Sequence, residues 1–197
     1  VFCVVFLYII INMKKILFTF SLLFCCFVLI AQNNLNLKSG KFLLNTDLQI
    51  DNLNQVNYLF IYFDKILTDN EKLQLEFEGV NFLEYIPKNT FVVSFSKNID
   101  SGIFDDYNAS GFLHVNSDHK IDPKIQNSSY PHWSINKNRL SIKILFYKDV
   151  DISSLKSKLN NIFLDVINVN LFSNSVTAVI DTSDLENISL INEVWYI

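Results

Sequence analysis

One order of elements occurs twice in this 197-residue chain, and it leaves few folds open. Asn57–Phe63 is rich in aromatic and β-branched residues and reads as a buried strand. Thr68-Asp69-Asn70-Glu71 then forms a capping box, the Thr side chain and the Glu three residues on satisfying free backbone donors. The helix it opens carries Leu73 and Phe77 four residues apart, and Gly79 closes it. Phe82–Ile86 and Thr90–Phe95 are strands around the turn Pro87-Lys88-Asn89. A weaker helix, Ile99–Tyr107, and a strand, Gly111–Val115, complete the order β-α-β-β-α-β. The same order returns as strand Arg139–Tyr147, alternating Leu140, Ile142, Ile144 and Phe146 with Ser141 and Lys143, helix Ile152–Leu159, strands Ile162–Val169 and Ser175–Ile180, a second capping box from Ser183 to Glu186, and a closing strand, Glu193–Ile197. Each copy is a split β-α-β unit, the ferredoxin-like arrangement of a four-stranded antiparallel sheet with two helices on one face. The fold class expected is therefore α+β, with two such domains in tandem over residues 57–116 and 138–197. Residues 117–137 form an irregular linker holding Pro123 and Pro131, and residues 32–56 a polar leader with a short strand at Lys41–Leu44.

The helices are short, and helices below about 12 residues are marginal in water unless they pack. The sheets supply one packing face each. The opposite faces have no cover within their own repeat. An aromatic-rich uncovered face is either a partner surface or is covered by the other sheet, and the sequence leaves both open.

The start of the chain differs sharply from the rest. Residues 1–31 carry only two charges, Lys14 and Lys15, and no acidic residue. From Met13 a basic start, an apolar run to Ala31 and a polar stretch from Gln32 make a secretory signal peptide with its cut between Ala31 and Gln32. Residues 1–12 begin without Met and read as upstream translation. A membrane role is expected only through an uncleaved signal, because the Ile16–Ala31 run is shorter than the ~20 residues a spanning helix needs. The implied localisation is secreted or periplasmic.

All three cysteines (Cys3, Cys25 and Cys26) fall in this leader, so disulfides, thiol nucleophiles and thiolate metal sites are excluded beyond it. Without Lys14 and Lys15, 14 basic residues face 20 acidic ones, a net charge of −6. A single arginine, Arg139, and the lack of any basic cluster argue against nucleic acid. No glycine-rich phosphate loop is present. His114, His119 and His132 lie close in sequence, but their spacing matches no compact ligand motif, even with Asp118 or Asp122 added. No serine sits in a G-x-S-x-G setting. Asp64, Asp105, Asp106 and Asp181 read as turn and helix-flanking residues. No catalytic residue, metal or cofactor is assigned. Trp133, in the linker, is expected at the join between the domains, and Trp195, Tyr196 and Ile197 are the candidate partner contacts.

The stretch Tyr58–Phe95, YLFIYFDKILTDNEKLQLEFEGVNFLEYIPKNTFVVSF, resembles the N-terminal prodomain region of secreted bacterial subtilisin-like serine peptidases. The matching residues are Gly79, Val80, Tyr85, Ile86, Pro87 and Asn89. The closing EVWYI, Glu193–Ile197, is similar to the last prodomain strand, so the resemblance spans about Tyr58–Ile197. It implies an intramolecular chaperone and temporary inhibitor whose sheet face lies against helices of the peptidase and whose tail enters the active-site cleft. The partner implied is the catalytic domain of a subtilisin-like peptidase, in cis if the gene continues. The catalytic Asp, His and Ser motifs of that family are absent from this sequence, which points to a fragment of a longer precursor. The alternatives are a free-standing secreted inhibitor or protein-binding module, and a hydrolase with an unrecognised site.

Overall fold

A computed structural model describes residues 34–46, 58–96, 99–100, 102–136, 139–153, 155, 159 and 165–197. The expected signal peptide, its cut at Ala31 and Gln32, and residues 1–12 lie outside these. Residues 34–197 form one compact α+β unit.

The first sheet contains β3 (Tyr58–Phe63), β4 (Val80–Ile86), β5 (Thr90–Phe95) and β6 (Ala109–His114), all antiparallel, in the spatial order β4-β5-β3-β6. Helix α1 (Asp69–Phe77) starts at the expected box: Thr68 Oγ1 accepts from the Glu71 amide, and Glu71 accepts from the Thr68 amide at 2.8 Å. Gly79 then takes a φ of 102°, which only glycine adopts without strain. The face shared by Leu73 and Phe77 points outward, Phe77 being 84% exposed, and Leu75 is the residue that enters the core. The second helix is a single turn, α2 (Ile103–Asp106), shorter than the Ile99–Tyr107 expected, because the Asp100 carboxylate takes the Gly102 amide into a local turn.

The second sheet repeats the order with β8 (Arg139–Phe146), β9 (Asp165–Asn170), β10 (Ser175–Ile180) and β11 (Val194–Tyr196), arranged β11-β8-β10-β9. Helical Ile152, Leu155 and Leu159 and helix α4 (Leu185–Ser189) cover one face. The second capping box does not form: Thr182–Asp184 winds as a 3-10 turn, and no side chain caps α4.

The leader and the linker are more ordered than expected. Strand β2 (Gly40–Leu43) falls where the short strand Lys41–Leu44 was expected, and pairs with β1 (Asn34–Leu37) in a hairpin. Linker residues form two 3-10 turns, helix α3 (Pro123–Gln126) and β7 (Ile135–Asn136), which pairs with β8.

Three clusters of buried residues hold the unit. One lies between the first sheet and α1/α2, including Leu59, Ile61, Phe63 and Phe104. One lies between the second sheet and its helices, including Ile142, Ile144 and Ile188. The third joins everything: Tyr58, Phe60 and Val92 on the far face of the first sheet meet Leu35 of the hairpin and Tyr147 of the second half. Full burial of an aromatic or aliphatic side chain contributes roughly 1.5–3 kcal/mol, so this third cluster is large enough to fix the two halves together. It answers the question of the first sheet's uncovered face, which is closed within the chain.

Candidate functional site

The residue types that carry chemistry do not converge. Asp105 and Asp106 sit in the exposed turn α2, and Asp64 accepts the Ser110 hydroxyl. His114 and His132 are exposed on separate elements. His119 is buried, its Nδ1 accepting the Asn116 amide at 3.0 Å and its ring edge-on to Phe42 with centroids 4.2 Å apart. Burial holds its pKa below the ordinary value, so it is a neutral core residue at pH 7. Among the described residues no group of three or more His, Cys, Asp or Glu is placed to hold a metal ion.

What the fold does assemble is an aromatic joint and one open sheet face. At the joint Tyr58 and Tyr147 stack, ring centroids 3.6 Å apart and 12° from parallel. Trp195 leans on both halves, 5.8 Å from the Phe60 ring and 5.2 Å from Tyr147. The Tyr58 hydroxyl donates to Asp149 at 3.3 Å, whereas the buried Tyr147 hydroxyl has no hydrogen-bond partner among the described residues. Desolvation raises the pKa of both phenols, and the Asp149 charge adds to it. Trp195, a candidate partner contact by sequence, is therefore half-buried in the joint.

The open face belongs to the second sheet. Residues of β8 alternate, Leu140, Ile142, Ile144 and Phe146 entering the core while Arg139, Ser141, Lys143 and Leu145 lie on the other side with Thr177 of β10. Arg139 anchors one end of that face by ion pairs to Asp165 and, at 3.4 Å, to Asp181, and by a bond to the Val179 carbonyl. Lys143 is exposed, and Ser141 and Thr177 are half-exposed. Period-two alternation shows the polar side of this strand in the sequence. Which of the two sheets would keep an open face could not be read that way.

Tyr196 and Ile197 lie at the edge of the same sheet. Ile197 is buried, its amide donating to the Lys120 carbonyl at 2.8 Å and its carbonyl accepting from Asp122. The Tyr196 hydroxyl donates to Asp122 at 2.9 Å, and desolvation raises its pKa. Both residues line a cavity of about 320 Å³ with Trp133. Trp133 does not plug the join between the halves: it is 83% exposed, in a 3-10 turn whose buried residue is Ser134.

Lys120 was missed by sequence reasoning altogether. It is 3% exposed and its ammonium donates to the Ile191 carbonyl at 2.7 Å. Burial brings its pKa down to about 8, with Glu193 opposing the shift. A lysine in a polar linker carries no sequence signal of burial.

The family model of a domain of unknown function, DUF8729, matches residues 31–106. That span takes in the β1–β2 hairpin and the first sheet up to α2, and leaves out β6 and the whole second half. No curated protein and no solved structure matches the chain. Among the described residues no helix is long and apolar enough to cross a membrane.

Proposed function

We propose that the chain is an exported, non-catalytic protein-binding module of the subtilisin-propeptide kind, acting as chaperone and inhibitor for a subtilisin-like peptidase. Each half is read as a ferredoxin-like domain, on the strength of the strand order, in which the first strand lies between the third and the fourth in both sheets. The observation that carries the reading is the contrast between the two sheets. The first is covered on one face by its helices and on the other by the hairpin and the Tyr147–Trp195 joint. The second is covered on one face by its helices, and the other, where Ser175 and Val179 are buried, still presents Ser141, Lys143 and Thr177. A propeptide that docks by a sheet face would dock by this one. The face is polar, as suits a module that stays soluble before it meets its partner.

The test uses residues 32–197, which contain the whole compact unit. At micromolar concentration this protein should slow peptide hydrolysis by a subtilisin-type enzyme, and Thr177→Arg should weaken the effect about tenfold or more by placing bulk in the docked face. Unchanged hydrolysis at 10 µM or so would remove the peptidase reading. A binding module for some other protein would then be the surviving form of the proposal.

A further inference from the structure

The edge of the second sheet contains a gap. Two short strands, β7 and β11, pair with the same side of β8, and both run antiparallel to it. β7 pairs with Arg139 and Leu140, and β11 with Leu145 and Phe146. No described strand pairs with that side of β8 between them, over residues 141–144. The register of β8 against β10 is unbroken, so its backbone groups alternate sides. The Phe146 amide donates to Asn174 on the β10 side and the Tyr147 amide to Glu193 on the β11 side. By that alternation the amides and carbonyls of Ser141 and Lys143 face the gap. Four residues of strand span about 13 Å.

The gap opens into the cavity of about 320 Å³, at the lower end of what ligand pockets occupy. Its apolar walls include Ile125, Tyr130, Pro131 and Ile197, with the exposed Trp133 at the rim. Charge is distributed unevenly around it. Lys124 and Lys143 line the cavity, and Lys38 lies 5.6 Å from the centre of the Tyr196 ring. None of these three lysines makes an ion pair with a described residue. The one carboxylate in the lining, Asp122, is already engaged by the Tyr196 hydroxyl and by the Lys124 amide at 2.8 Å.

We propose that this gap in the β8 edge binds an extended acidic peptide segment carrying aliphatic side chains, which completes the edge between β7 and β11. Ser141 and Lys143 supply up to four main-chain hydrogen bonds, the apolar walls take one or two aliphatic side chains, and the lysines meet the peptide's carboxylates. Strand addition at a sheet edge gives affinity through the main chain and selectivity through alternate side chains. Both sites use Ser141 and Lys143, but Thr177 lies outside the cavity, so Thr177→Arg, which should weaken peptidase inhibition and leave peptide binding unchanged, tells the failure of one proposal from the failure of the other.

The probe is acetyl-Asp-Val-Ile-Asp-amide, four residues to match the gap, titrated into residues 32–197 with amide chemical shifts and Trp fluorescence as readouts. Saturable binding is expected with Kd below about 1 mM. The Ser141 and Lys143 amides should shift most, and Trp133 emission should move to shorter wavelength. The double variant Lys124→Glu, Lys143→Glu, which changes exposed side chains only, should bind about tenfold more weakly, and a peptide with Lys for Asp should bind it better than it binds the parent. A peptide with Pro for Ile should not bind. No binding at 1 mM or so, binding indifferent to charge reversal, or equal binding of the Pro peptide would each overturn the proposal. So would sedimentation showing that a second copy of the chain fills the edge in place of peptide.

Discussion

Raising the pH from 7 to 9 should stabilise this protein, and the reason is Lys120. Its ammonium is buried with one carbonyl partner, and its pKa falls from 10.5 to about 8. A base with a depressed pKa holds fewer protons folded than unfolded between those two values. Stability therefore rises with pH across that window, is fully present above 10.5 and is lost as pH falls through 8. At 1.36 kcal/mol per unit the whole depression corresponds to roughly 3 kcal/mol, of which about 1.4 appears between pH 7 and 9. For a domain of this size that is a rise in Tm of about 3–5 °C. The increase should not continue. The phenols of Tyr58, Tyr147 and Tyr196 have raised pKa values in the folded state, and their contribution is lost as pH rises above about 10. Stability should thus peak near pH 10. The assay is urea unfolding at pH 7, 8, 9, 10 and 11, with Lys120→Met as the control. Methionine keeps the stem volume and removes the charge, and the Ile191 carbonyl loses its donor at a cost of about 1 kcal/mol. The variant should be about 1–2 kcal/mol more stable than the parent at pH 7 and flat between pH 7 and 9. A parent protein whose stability is flat or falls over that range, or a variant that keeps the rise, would refute the reasoning.

Other substitutions test other parts of the fold. Tyr147→Phe removes a buried hydroxyl without a hydrogen-bond partner and should be neutral or stabilising by up to about 1 kcal/mol, read from urea midpoints, whereas Tyr147→Ala should cost about 3–5 kcal/mol. Gly111→Ala should destabilise by about 1–3 kcal/mol in thermal unfolding, because a Cβ there would meet Leu44 at 3.0 Å, and Leu44→Ala in the same chain should recover part of the loss. Leu75→Ala should cost about 2–5 kcal/mol while Leu73→Lys stays within about 0.5, since only the first enters the core. Thr68→Ala should cost about 1 kcal/mol by opening the capping box, and the Glu71 carboxyl, held down at about 2 by Lys65 and the Thr68 groups, should titrate at higher pH in that variant by NMR.

The order of elements was legible because it rests on local physics. Alternation along β8, the Thr68–Glu71 box and Gly79 after α1 each act within a few residues, and each is found where the sequence puts it. The second box at Ser183 failed for a local reason as well: the chain wound a 3-10 turn over Thr182–Asp184, leaving α4 to start uncapped. One strand of the hairpin was legible, Lys41–Leu44 against β2 at Gly40–Leu43, and its partner β1 was not, because its apolar residues are few. Leu35 counts only because Tyr58 and Phe60, far along the chain, cover it. The candidate site was less legible still. The free edge at residues 141–144 exists because β7 and β11 are both too short to meet, and shortness of a partner strand is not written in β8 itself.

The sequence alone determined two copies of one α+β pattern, a cysteine-free and acidic chain after its apolar start, and the residues that each copy turns inward. Those follow from side-chain periodicity and composition, which neighbours along the chain decide. Tertiary structure alone decided that the first sheet is closed on both faces while the second keeps part of one face open, that Lys120 is buried, and that Trp133 is exposed. Those outcomes depend on which surfaces meet across long stretches of chain. Stacking Tyr58 on Tyr147 and laying a hairpin over Phe60 remove apolar area from water that neither half could bury by itself.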